Sequence, residues 1–109
     1  MPTNPATQAC IDECLRCYQT CLGMASSHCL EAGGKHVEPE HFRLMMACAE
    51  ACRASAHLML IGGDVHRYQC GACAEVCAAC AASCEEVGGM DACVEACRAC
   101  EASCRGMAA

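Results

Sequence analysis

The chain has 109 residues, enough for one domain over 1–109 and too few for a second. Sixteen are cysteine, about 15%, far above the usual share. Leu, Ile, Val and Phe together supply only 14 residues, too few for a conventional apolar core. With no Trp, two Tyr, one Phe and a formal charge of −6, the chain lacks the basic, aromatic surface that nucleic acid requires. No run approaches 18 uncharged apolar residues, so no membrane span is expected. Met1-Pro2-Thr3-Asn4-Pro5 has no basic segment leading into an apolar run, so no secretory signal is expected. The expected compartment is then the reducing cytoplasm, where thiols stay free or bind metal.

Three pairs, Gly33-Gly34, Gly62-Gly63 and Gly88-Gly89, each follow a long proline-free stretch and predict helix ends. Four helices are expected, at about 4–31, 38–61, 65–87 and 91–107. Short links make neighbours antiparallel, an all-α up-down-up-down four-helix bundle. The first helix carries Cys10, Cys14, Cys17 and Cys21, a stripe that continues through Met24 to His28. At about 100° per residue the four thiols fall within roughly 60° of one another. The second helix opens with Pro39 in its first turn and carries His41, Met45, Cys48, Cys52, Ser55 and Met59 on one face. Beside that face runs a second apolar stripe, Leu44, Ala47, Ala51, Ala54, Leu58 and Ile61, either a wider core contact or an oligomer interface.

The third helix, with Asp64 as expected N-cap, carries His66, Cys70, Cys73, Cys77, Cys80 and Cys84. The fourth, with Asp91 in the same role, carries Cys93, Cys97, Cys100 and Cys104, flanked by Met90 and Met107. The pattern C-x3-C-x2-C-x3-C recurs at 10–21, 73–84 and 93–104, and the second helix holds a degraded copy in which Ser55 and Met59 replace thiols. Fifteen of the sixteen cysteines lie on these stripes, and Cys29 alone does not. Thiol, thioether and imidazole thus stand where a bundle normally keeps Leu and Ile.

Cysteine as a small hydrophobe would leave such a core underpacked. Thiols aligned on single helix faces are poorly directed for a disulfide framework. Metal binding remains. Zinc calls for separate tetrahedral four-ligand sites, and iron–sulfur clusters call for loop-borne groups of four cysteines. Cu(I) prefers thiolate and thioether, and a continuous thiolate column suits its low, bridging coordination, at roughly one ion per cysteine. An iron–sulfur electron-transfer protein and a zinc or cadmium thiolate buffer stand as alternatives. No nucleophile–base–orienter set is discernible, so no enzyme is expected.

In these repeated stripes, in the absent export signal and over nearly its whole length, the sequence resembles the cytosolic branch of the bacterial copper storage proteins. The resemblance implies a four-helix bundle with inward-pointing cysteines, many Cu(I) ions per subunit and assembly into a tetramer. A copper chaperone is the partner such a store implies. The second helix departs from full thiol occupancy at Ser55 and Met59.

The candidate ligands are therefore all sixteen cysteines with His28, His41, His66, Met45, Met59 and Met90. His36 and His57, off the stripes, read as solvated surface residues. Antiparallel packing gathers His28, Met24, His41, Met45 and Met90 at one end, near Cys29, Cys84 and Cys93. The other end gathers Met59, His66, Met107, Cys10, Cys70 and Cys104 beside the run Leu58-Met59-Leu60-Ile61. Such a run is expected to act as an apolar plug, which makes the His28/His41 end the expected mouth.

Overall fold

The computed structural model describes residues 4–109; residues 1–3, which the reading of the N-terminus and of the 1–109 domain includes, lie outside the described residues. Helix α1 (Pro5–Met24) runs without a break through a π-helical turn (Ala25–Cys29) into a last α-helical turn (Leu30–Ala32). A 3-10 turn (Gly34–Val37) leads to α2 (Pro39–Ile61), followed by α3 (His66–Val87) and α4 (Asp91–Ala108). Each helix packs along its sequence neighbour, and α4 returns to pack on α1, closing an antiparallel bundle with a longest dimension of 43 Å. The described residues contain no strand.

Local chemistry sets the ends. Asn4 caps α1 by accepting the Thr7 N–H at 2.8 Å, and Pro5 takes the next position, where its missing N–H goes unnoticed. Pro39 opens α2 in the same way. Gly62 and Gly88 close α2 and α3 with φ of 92° and 83°, a conformation that a Cβ would penalise. Asp64 and Asp91 do not serve as the expected side-chain caps. The Asp64 carbonyl, not its carboxylate, accepts the Arg67 N–H, and Asp91 is already the first helical residue of α4. There its charge still suits the helix dipole.

The π turn corrects the sequence reading at two positions. In an unbroken α-helix Cys29 would point about 80° away from Cys21. The wider turn brings it back into line, so that Cys21, Ala25 and Cys29 are all fully buried. His28, expected on the stripe, moves instead to a half-buried flank. Such a turn disturbs the helical hydrogen-bond ladder, and the serine hydroxyls take up freed carbonyls: Ser26 donates to the Leu22 carbonyl at 2.9 Å and Ser27 to the Gly23 carbonyl at 2.7 Å.

All sixteen cysteines are buried and free, joined inside by Met45, Met59, Met90, Ile11 and small alanines. The second stripe of α2 lies at the edge of the core: Leu44 and Ala51 are half-buried and pack against it, Ala54 and Leu58 are half-buried, and Ala47 and Ile61 are exposed. Helix α2 reaches a mean hydropathy of 1.3 over 18 residues, long and apolar enough by that measure to cross a membrane. Its inward face is used up against the other helices, and its outward face carries the exposed Glu50–Arg53 ion pair and His57. Further exposed pairs join helices to one another: Arg98–Glu85 and Arg105–Glu75 link α3 to α4, and Arg16–Glu95 links α1 to α4.

Because capped, alanine-rich helices close the bundle around mostly protonated thiols, the reduced metal-free protein is expected to be helical already. Far-UV circular dichroism checks this, and a coil spectrum that turns helical only with metal would refute it.

Candidate metal centre

The stripe spacing converts directly into a sulfur column along the bundle axis. At one end Cys10 (α1), Cys70 (α3) and Cys104 (α4) bring their Sγ atoms within 4.8 Å of one another. Next come Cys14, Cys73, Cys100 and Cys104, then Cys17, Cys52, Cys77 and Cys100, then Cys17, Cys21, Cys48 and Cys97, each group within the same limit. Contacts along and between these groups are short. Cys14 to Cys104, Cys21 to Cys97 and Cys52 to Cys77 are each 3.6 Å, and Cys52 to Cys100 and Cys14 to Cys100 are 3.7 Å. None approaches the length of a disulfide bond.

Sharing decides what such a column can hold. Cys17, Cys100 and Cys104 each belong to two groups, so twelve cysteines serve four clusters where separate four-thiolate sites would need sixteen. Four sulfurs around one ion at about 2.3 Å stand about 3.8 Å apart, so any single group fits a metal well. Adjacent groups fit together only if a sulfur bridges two ions, which suits Cu(I) and disfavours independent zinc tetrahedra. Direct sulfur contact also leaves no space for the inorganic sulfide of an iron–sulfur cluster.

The protonation pattern follows from the same contacts. Cys100 is pulled down to about 7, first by hydrogen bonding with Cys104 and then with Cys14, whereas Cys70 is pushed up to about 12, first by its hydrogen bond with Cys10, with burial adding. Cys84 is drawn down to about 4 by hydrogen bonds with Cys80 and Cys93, with a smaller contribution from the nearby His41. Cys29 is raised, first by burial and then by the charge of Cys84. A thiolate in this column is thus held by neighbouring S–H groups, and each one formed raises the cost of the next.

At the opposite end of the bundle the ligand type changes. Cys80, Cys84 and Cys93 continue the column, the Cys29 thiol meets Met45 Sδ at 3.7 Å, and Met90 is fully buried. His41 is 5% exposed, and its Nδ1 lies 2.7 Å from Ser83 Oγ while its Nε2 is buried without a partner. His28 Nε2 is likewise buried and unpartnered. His36, expected at the surface, is half-buried: its ring stands edge-on to His28 with centroids 4.9 Å apart, and its Nδ1 also lacks a partner. No periodicity in the sequence marks His36, because it sits in the 3-10 turn between α1 and α2. His57 is exposed as expected.

The far end differs. His66 is half-buried with Nδ1 unpartnered, and Met59 points inward. Leu60 and Ile61, expected as part of a plug, are 53% and 63% exposed, and Ser55 turns its hydroxyl back to the Ala51 carbonyl at 2.9 Å. The contrast between the ends therefore rests on their ligands, three imidazoles with unpartnered nitrogens against one, and not on a plug.

Residues 3–109 match the model of a family described as copper storage protein. A protein of known structure from Nitrosospira multiformis is 57% identical over 97% of each chain, with a TM-score of 0.95. A Cu(I)-bound copper storage protein, BsCsp3, is 31% identical over 95% of this chain and 99% of its own, with a TM-score of 0.87. A cytosolic copper storage protein from Streptomyces lividans, carrying five coppers, is 36% identical over 94% and 92%, with a TM-score of 0.80.

The register reset at the π turn makes Cys29 as much a core thiol as any stripe residue. Replacing it with alanine is expected to lower the Cu(I) retained against a competing chelator by roughly one ion, whereas His57→Ala should change nothing. Equal capacity in Cys29→Ala and the parent would place Cys29 outside the metal column.

Proposed function

The chain belongs to the copper storage protein family, and on that premise we propose that it stores Cu(I) in the cytoplasm, with ions bridged between the thiolates of the axial column. The observation that carries the reading is the sharing of Cys17, Cys100 and Cys104 between successive sulfur groups. The ligands are the sixteen cysteines, with Met45, Met90, His28 and His41 completing one end and His66 and Met59 the other. No catalytic step is assigned; the protein acts by holding an ion that would otherwise be toxic and releasing it.

Proton balance governs loading. A neutral thiol gives up its proton as Cu(I) binds, and the ion's positive charge offsets the thiolate so formed. A buried column that cannot carry many negative charges can therefore fill with monovalent ions while staying near neutral. The end with His28, His36 and His41 is the port. Imidazole and thioether bind Cu(I) without charge neutralisation, so an ion arriving there is held until a thiol deeper in the bundle exchanges a proton for it. Storage proteins that exchange ions this way need a donor, and a copper chaperone fits that part. The half-exposed stripe of α2 supports assembly into a tetramer, since small residues let helices of neighbouring subunits approach closely.

Two measurements test the reading. Anaerobic titration of the reduced protein with Cu(I) against a chromophoric chelator is expected to show about one ion retained per cysteine, with up to about one proton released per ion and affinity falling as pH falls. Saturation near four ions would favour the zinc alternative. Replacing His28, His41 and Met45 with leucine should slow uptake and release while capacity drops by only one or two ions. Unchanged rates there, with slowed rates when Met59, His66 and Met107 are replaced, would move the port to the far end.

A further inference from the structure

Ser83 lies on α3, one residue before Cys84, and no thiol stripe includes it. It lines a groove between α2 and α3 of about 480 Å³, together with Lys35, Glu40, His41 and Glu86. Its hydroxyl is 2.7 Å from His41 Nδ1. On the far side of that ring Nε2 is buried and meets no hydrogen-bonding partner. We propose that Ser83 is a positioning residue for copper uptake: its oxygen accepts the His41 Nδ1–H and so fixes the imidazole with the Nε2 lone pair free to take a Cu(I) ion.

Two polarities of the bond are open in principle, and the surroundings separate them. If the serine hydroxyl donated to Nδ1, the ring proton would sit on Nε2, a strong donor buried with nothing to accept it. If Nδ1–H donates, the Ser83 proton is left free to turn toward the open groove, which Glu40 and Glu86 also line. The group then left unmatched inside is a lone pair, and a lone pair is what a metal ion satisfies. Anchoring one ring nitrogen so that the other ligates is the usual arrangement around metal-binding histidines. Among the described residues, no other imidazole has a side-chain hydrogen bond to hold it this way; His28 and His36 meet only edge to face.

The inference rests on the Cu(I) reading for the identity of the ion, but the tautomer belongs to the metal-free protein and can be read without copper. In ¹⁵N-labelled, reduced, metal-free protein the His41 ring is expected to show a protonated Nδ1 and an unprotonated Nε2. Ser83→Ala, a substitution that a helix tolerates well, should shift the ring toward the Nε2–H form. It should also slow capture of Cu(I) from a chelator by about tenfold, the low end of what outer-shell losses at metal sites produce, with total capacity unchanged. Ser83→Thr, which keeps the hydroxyl, should restore both. Circular dichroism of each variant verifies the fold. An Nε2–H ring in the parent protein, an unchanged ring in Ser83→Ala, or a shifted ring with unchanged uptake would each overturn the proposal. Failure of the parent to retain Cu(I) would overturn the storage reading instead.

Discussion

Sulfur packed on sulfur along one axis is the constraint on which the rest of this molecule depends. Cysteine reaches only one atom beyond Cβ, so helices that face one another through cysteines must come close before their side chains meet. The contacts of 3.6 to 4.0 Å between thiols of all four helices show that they do. Everything else on the inside is correspondingly small, alanine above all, with Ile11 and three methionines filling the remaining space. A core of this kind gains little from apolar area compared with a leucine core. What it gains is a set of soft ligands shut away from solvent.

Close packing also removes the distinction between one metal site and the next. Cys100 touches Cys14 and Cys52 and lies within contact distance of Cys104. An ion held at one level therefore shares its ligands with an ion at the next. Such a column suits graded filling better than a fixed small number of independent sites. The same contacts explain why neighbouring thiols are pushed in opposite directions, Cys70 upward and Cys10 downward, since a proton on one sulfur stabilises charge on the next. A column of mostly neutral thiols with a few thiolates held by them when empty, and copper thiolates when full, both avoid stacking charge in a buried interior.

The two ends of the column are unlike, and backbone geometry is the reason. At one end α2 contributes Ser55, whose hydroxyl is spent on its own helix, and Met59. At the other, a π turn rotates the end of α1, bringing Cys29 inward against Met45 and setting His28 beside His36. Imidazole and thioether nitrogens and sulfurs then rim the column where the thiols stop, with His41 anchored through Ser83.

Much of this was legible in the sequence because a helix converts +3/+4 spacing into a face, and cysteine is rare enough for that face to be conspicuous. The four helices, their glycine stops, the inward thiols on fifteen positions and the preference for a bridging soft metal all follow from that spacing. Ser55 and Met59 were visible as gaps in the same way. Tertiary structure alone decided the remainder. Cys29 joined the core, and His28 left the stripe, because one wide turn changed the angle per residue, which no regular periodicity anticipates. His36 came to lie beside His28 because the 3-10 turn folds back on the end of the first helix, a matter of chain path and not of spacing. Leu60 and Ile61 proved exposed because an apolar run at a helix end covers only what the neighbouring helices reach. The partner of His41 lay 42 residues away on a different helix, a distance over which the sequence carries no periodic signal, so only the packing of α2 against α3 could bring Ser83 to it.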